Sequence, residues 1–140
     1  MKRSLFLDTS AWFAALAASQ EHHALCHVAY REALIGNVPL VTTSLVVAEM
    51  HVLLSRRVGL AFAQRFLAVL DDAQHEVVCP DADLLKAAST RWIRRYADQP
   101  FSLCDAVSFE VMRTRKLTTA LALDHHFRVA GFATVPDQVP

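Results

Sequence analysis

The chain has 140 residues, 14 basic and 14 acidic, so its formal net charge is zero, and 54% of it is hydrophobic. That length fits a single domain over residues 1–140 with a sizeable core, and zero net charge excludes a general attraction to polyanions, leaving any such binding to local basic patches. The hydrophobic share exceeds the ~45–50% usual for soluble domains, which predicts an apolar face for a partner chain as well as a rich core.

Met1-Lys2-Arg3 before an apolar run has the look of a signal peptide's start. Asp8 interrupts that run too early, and no stretch approaches the ~20 apolar residues of a membrane span. The chain therefore reads as cytoplasmic, with no membrane contact. Short apolar runs at Ser4–Leu7, Leu40–Thr42, Glu76–Cys79 and Thr118–Leu123, and a weaker one at Ala133–Val135, read as strands. They lack clean alternation, as strands buried on both faces do. Helical patterns fill the intervals at Ala11–Ala18, His23–Ile35, Leu45–Val58, Leu60–Asp71, Ala82–Tyr96, Leu103–Arg115 and His125–Ala130. Gly36, Gly59 and Gly131 each follow a helical pattern, where a left-handed cap favours glycine. Alternating strands and helices predict a parallel sheet covered on both faces, with ligands bound beyond the carboxyl ends of its strands.

Four carboxylates sit in apolar surroundings: Asp8 in SLFLDTSAW, Glu49 in TTSLVVAEM, Asp105 in SLCDAVSF and Asp124 in TALALDHHF. A buried carboxylate must be paired, hydrogen-bonded, protonated or bound to a cation. Each acid also has a local explanation. Asp8 and Asp124 precede helices that they could cap, and Asp105 follows Ser102 by three residues, as in a capping box. Glu49 shares its helical stripe with Leu45 and Leu53, which predicts burial and, for a purely structural acid, an arginine partner. Together, two acids at strand ends and two on inward helix faces can point into one cleft. No Lys or Arg lies within these motifs, so Mg²⁺ or Mn²⁺ is the natural counter-charge and phosphodiester hydrolysis the natural chemistry.

These motifs, in order, resemble the PIN domain family, and within it the VapC-like ribonuclease toxins of bacterial toxin–antitoxin pairs. The resemblance runs from LFLDTSAW through VPLVTTSLVVAEM to QPFSLCDAVSFEVMRTRKLTTALALDHHFRVAGF. It implies a three-layer α/β/α sandwich around a parallel sheet and a Mg²⁺- or Mn²⁺-dependent endoribonuclease. In that reading Asp8, Glu49, Asp105 and Asp124 are the catalytic, metal-holding acids, and Thr9, Ser10, Thr43 and Ser102 match hydroxyls that orient them. It also implies a homodimer inhibited by a cognate antitoxin protein. Ala122 departs from the pattern, since many relatives carry Thr or Ser there.

Other features carry competing readings. Cys26, Cys79 and Cys104 contain no CxxC pair and read as small buried residues in a reducing compartment. His23 and His27 have ligand-like spacing but no third partner, and read as a solvated pair. His125 and His126 adjoin Asp124 and could approach substrate or antitoxin, or serve the structure alone. Arg113, Arg115, Lys116 and Arg128 are candidate RNA contacts, as are Arg91, Arg94 and Arg95, although such runs are commonly solvated faces. Trp12 and Phe13 could stack on bases, with core packing the simpler role. A haloacid-dehalogenase-like phosphatase would need a second Asp where Ser10 stands, and a receiver domain would need paired acids after its first strand. A non-catalytic PIN-fold module binding RNA or protein is the alternative that keeps the fold.

Overall fold

Alternate residues of the central strands face opposite layers, as the twofold period of an extended chain requires. Leu5, Leu7, Leu40 and Leu121 enter one core. Phe6, Val41, Ala120 and Ala122 enter the other. The computed structural model describes residues 3–137. Its five strands are β1 (Leu5–Leu7), β2 (Leu40–Thr43), β3 (His75–Val78), β4 (Thr119–Leu121) and β5 (Ala133–Val135). All pair in parallel, in the order β3-β2-β1-β4-β5. The chain builds β2 and β3 outward on one side of β1 and returns to build β4 and β5 on the other. The order reverses between β1 and β4, where an open α/β sheet leaves a crevice at its carboxyl edge.

Helices α1 (Thr9–Leu16), α2 (His23–Ile35), α3 (Ser44–Arg57) and α4 (Leu60–Val69) cover one face. Helices α5 (Ala82–Ala88), α6 (Leu103–Thr114) and α7 (His126–Val129) cover the other. The three-layer sandwich expected from the sequence is thus present. Helix α1 is buried from Ala11 to Ala15 because its alanines let Trp12 and Phe13 pack closely. Trp12 is fully buried against Tyr30, Phe66 and His75, so Trp12 and Phe13 belong to the core.

Several local expectations change. The single helix expected over Ala82–Tyr96 is α5 followed by a wide π-helical stretch, Ser89–Arg94. Such turns shift the helical register, and Arg91 and Trp92 both reach Glu110 on α6 from this one. After α2 the left-handed residue is Asn37 (φ 53°), while Gly36 keeps φ −76°. Gly59 and Gly131 do take positive φ. Strand β4 stops at Leu121, short of the run to Leu123, because the next residues turn toward α1. His23 and His27 tie α2 to α1 through the carbonyls of Ala14 and Ala15, at 2.7 and 3.3 Å, so they are not merely solvated. Only Cys26 among the three free cysteines is fully buried.

Candidate active site

Leu7 and Leu121 pair at the carboxyl ends of β1 and β4. Asp8 directly follows Leu7, and its N–H donates to the Leu121 carbonyl at 3.0 Å. This places Asp8 at the sheet's edge, with the 122–124 turn beside it. The Ser10 hydroxyl bridges the two segments, donating to Asp8 Oδ2 at 2.9 Å and accepting from the Leu123 N–H at 3.0 Å. Asp124 follows, and its Oδ1 accepts the N–H of His126 at 2.9 Å. From the helical side, Ser102 and Asp105 form a reciprocal capping box at the start of α6, at 3.0 and 3.1 Å. Glu49 on α3 accepts the Thr9 hydroxyl at 3.0 Å.

These residues line one open cleft of about 410 Å³, together with Pro100, Cys104 and His126. Among the described residues, no Lys or Arg lines it. Asp8 is only 6% exposed. Burial, opposed in part by the Ser10 hydroxyl and reinforced by the charges of Asp105 and Asp124, pushes its carboxyl up to about 7. Burial also raises the Cys104 thiol, with Glu49 adding to the effect. A buried acid whose proton is held near neutrality for want of a positive neighbour is the kind of perturbed group that gathers at functional sites.

Each local explanation for the acids now has an outcome. Asp8 occupies the N-cap position of α1 without a side-chain capping bond. Asp105 caps α6 and faces the cleft as well. Asp124 receives the first N–H of α7 and faces the cleft. Glu49 corrects the sequence reading: it is exposed, because the buried stripe of α3 is Val46, Met50 and Leu54, and Glu49 lies on its margin. Among the described residues it forms no ion pair. Of the hydroxyls, those of Thr9 and Ser10 donate to acids, that of Ser102 accepts the backbone N–H of Asp105 while the Ser102 N–H holds the carboxylate, and Thr43 caps α3 through the Val46 N–H at 3.2 Å. Ala122 is buried in the core, so Asp124 is oriented by the turn that follows it.

The basic candidates lie elsewhere. Arg113 pairs with Glu110 through two hydrogen bonds at 3.1 and 2.9 Å. Arg115 pairs with Glu76 at 2.6 Å and lines a depression at the amino ends of β1–β3, across the sheet from the acids. Lys116 follows in a left-handed turn beyond the far end of α6. Arg128 donates to Thr134 on β5 at 3.2 Å. None of the four lines the cleft. Two residues gain importance from the structure. Glu110 is buried and anchors Arg91, Trp92 and Arg113, which holds its carboxyl below the usual range, chiefly through Arg113. His126 places Nδ1 3.2 Å from Asp105 Oδ2 and 3.3 Å from Asp124 Oδ2. The HHF sequence offered a signal for His126 in its closeness to Asp124, though not for its reach to Asp105.

A family model described as PIN domain matches residues 5–133. The chain is 33% identical over 132 residues to "23S rRNA-specific endonuclease VapC20" of Mycobacterium tuberculosis, covering 94% of this chain and 97% of that protein. The crystal structure of Mycobacterium tuberculosis VapC20, described as a sarcin-ricin loop cleaving toxin, superposes with a TM-score of 0.81 at 32% identity, over 93% and 97% of the two chains. Two more distant structures share the fold. FitAcB from Neisseria gonorrhoeae has a TM-score of 0.65 at 17% identity, over 93% and 95%. PAE2754 from Pyrobaculum aerophilum has 0.63 at 18%, over 96% and 91%.

Proposed function

We propose, for a chain that belongs to the PIN domain family, that it is a metal-dependent endoribonuclease and the toxin of a toxin–antitoxin pair. The observation that carries this reading is the cleft itself: four carboxylates, one of them buried, converge with no Lys or Arg among the described lining residues to balance them. Asp8, Asp105, Asp124 and Glu49 would hold Mg²⁺ or Mn²⁺, since both prefer oxygen donors and Mg²⁺ leaves room for water and phosphate oxygens. A divalent cation in such a site activates water and offsets the charge that builds on the transferred phosphate. The chain's own residues supply orientation. Ser10 fixes Asp8 against the 122–124 turn, Thr9 fixes Glu49, and the capping box fixes Asp105. Glu49, exposed at the rim, would complete the set of cation-holding acids from the solvent side.

The relative's named substrate makes 23S rRNA, and its sarcin-ricin loop in particular, the first RNA to test. A partner protein fits the exposed apolar side chains of α2 and α4, among them Leu25, Val28, Ile35, Leu60 and Leu67. The protein is incubated with a sarcin-ricin-loop RNA and an unrelated hairpin, with Mg²⁺ or Mn²⁺, and with Asp8→Asn as control. Cleavage that persists in excess EDTA, or undiminished in Asp8→Asn, overturns the mechanism. Metal binding separates this reading from a non-catalytic RNA- or protein-binding module: a scaffold whose acids serve only as caps binds neither ion.

A further inference from the structure

The charges of this neutral chain are sorted into two concavities. The acidic cleft has no Lys or Arg among its described lining residues. A second open depression, of about 490 Å³, is lined by Ala87, Thr90, Arg91, Arg94 and Arg95, with no carboxylate among its described lining residues. Ala87 and Thr90 are small, so three guanidinium groups supply its chemistry. Ala87 stands near the end of α5, and the others belong to the π-helical stretch or directly follow it. A π-turn takes more residues than an α-turn, so adjacent side chains such as Arg94 and Arg95 diverge less, and such turns are frequent at functional sites. Arg91 is anchored through Nε, 3.2 Å from Oε1 of the buried Glu110. Arg94 and Arg95 are exposed, and among the described residues neither side chain makes an ion pair or hydrogen bond. Arg113 and Arg115, by contrast, are committed to Glu110 and Glu76.

We propose, resting on the nuclease reading above, that Arg91, Arg94 and Arg95 bind a backbone phosphate of the RNA outside the cleft, while the acids receive the scissile one. A chain of zero net charge offers a polyanion no general attraction, so its hold comes from a local basic patch. Guanidinium is always charged, and its parallel N–H donors match the oxygens of a phosphate. The depression and the cleft belong to one helical layer. The segment after Arg95 enters the cleft at Pro100. Within it Tyr96 packs on Phe101, and Phe101 packs on His126 of the cleft, with ring centroids 5.8 and 5.3 Å apart. A protein partner fits the depression poorly, because protein interfaces bury an apolar core. Among the described residues, no exposed large apolar side chain lies on α5 or the π-helical stretch. Phosphate contacts set register and carry no base identity, so this face responds to RNA beyond the cut and not to its sequence.

The test measures binding of the full chain to a sarcin-ricin-loop hairpin and to an unrelated hairpin, by fluorescence anisotropy in EDTA, where no metal-dependent cleavage intervenes. Arg94 and Arg95 have no partner to lose, so the double variant Arg94→Gln, Arg95→Gln should keep the wild-type melting temperature. It should bind both hairpins about tenfold or more weakly at about 0.1 M salt, with the slope of log affinity on log salt reduced by about 2. The pair Arg94→Lys, Arg95→Lys keeps the charge and should keep most of that slope, and Arg115→Ala should bind as the wild type does. With Mn²⁺ present, the glutamine pair should raise KM for the sarcin-ricin-loop hairpin about tenfold at unchanged kcat. Unchanged affinity and slope in the glutamine pair assign the face to something other than RNA and overturn the inference, as does a wild-type chain that binds neither hairpin. An equal loss in Arg115→Ala, a loss confined to one hairpin, or a fall in kcat at unchanged KM overturns it as well. A wild-type chain that binds both hairpins and cuts neither overturns the nuclease reading, and the slope in EDTA still decides the binding face.

Discussion

Replacing Asp8 with Asn should stabilise the metal-free protein at pH 8 while abolishing its function. Burial, with two neighbouring acids, moves this carboxyl from 3.8 to about 7. The folded state then binds the Asp8 proton more tightly than the unfolded chain does. Below pH 3.8 both states are protonated and the group costs nothing. Between pH 3.8 and 7 the folded state retains a proton that the unfolded chain has lost, so this contribution to stability falls as pH rises. Above 7 the penalty is complete, at about 4 kcal/mol for a move of that size. Asparagine removes the charge and still accepts the Ser10 hydroxyl, so Asp8→Asn should recover about 2–4 kcal/mol at pH 8 and about 2 kcal/mol or less at pH 5. Urea unfolding of both chains in EDTA at the two pH values measures this. Saturating Mn²⁺ should reverse the order, since a ligand bound by the native state of the wild type alone stabilises it alone. Equal stabilities at pH 8, or an advantage independent of pH, would refute the account of Asp8.

Chelation should abolish RNA cleavage and Mn²⁺ should restore it, read by gel from the same preparation. Thr9→Val removes the hydroxyl on Glu49 at the cost of one hydrogen bond, about 1 kcal/mol, so cleavage should fall about fivefold with a change of only a few degrees in melting temperature. Glu110→Ala leaves the Trp92 N–H, Arg91 and Arg113 without their shared carboxylate. It should cost about 3 kcal/mol by thermal or urea unfolding, with Glu110→Gln losing less. Among the described residues Arg115→Ala breaks the pair with Glu76, at the sheet's other edge from the cleft, and binding of a short RNA at two salt concentrations should be unchanged.

Periodicity alone carries much of the architecture, because apolar runs bounded by Gly, Pro and Asp report which segments bury themselves. All five strands fall within the expected runs or one residue beyond them, and helix α2 begins and ends at His23 and Ile35 as its pattern predicts. Asp8 and Asp124 were legible as site candidates for a topological reason: an acid directly after a strand of a parallel sheet stands at its ligand-binding edge. Glu49 was found by a faulty route. Leu45 and Leu53 suggested a buried stripe, but both are only half-buried and the core line is Val46, Met50 and Leu54. Helical spacing names a face without saying which face the sheet will take.

What the amino-acid order determined by itself was the class of fold and the strand-end positions of Asp8 and Asp124, since both follow from the alternation of strands and helices. Tertiary structure decided which charges meet. The runs at Arg113–Lys116 looked like partners for a polyanion, yet Arg113 is committed to Glu110 and Arg115 to Glu76 at the opposite edge of the sheet. His126 looked like one of two adjacent histidines, yet α6 brings Asp105 to its ring from 21 residues away in sequence. Ion pairs and metal ligands depend on distances of about 3 Å between side chains from separate elements, and only the packing of α3, α6 and α7 around the β1–β4 edge fixes those distances.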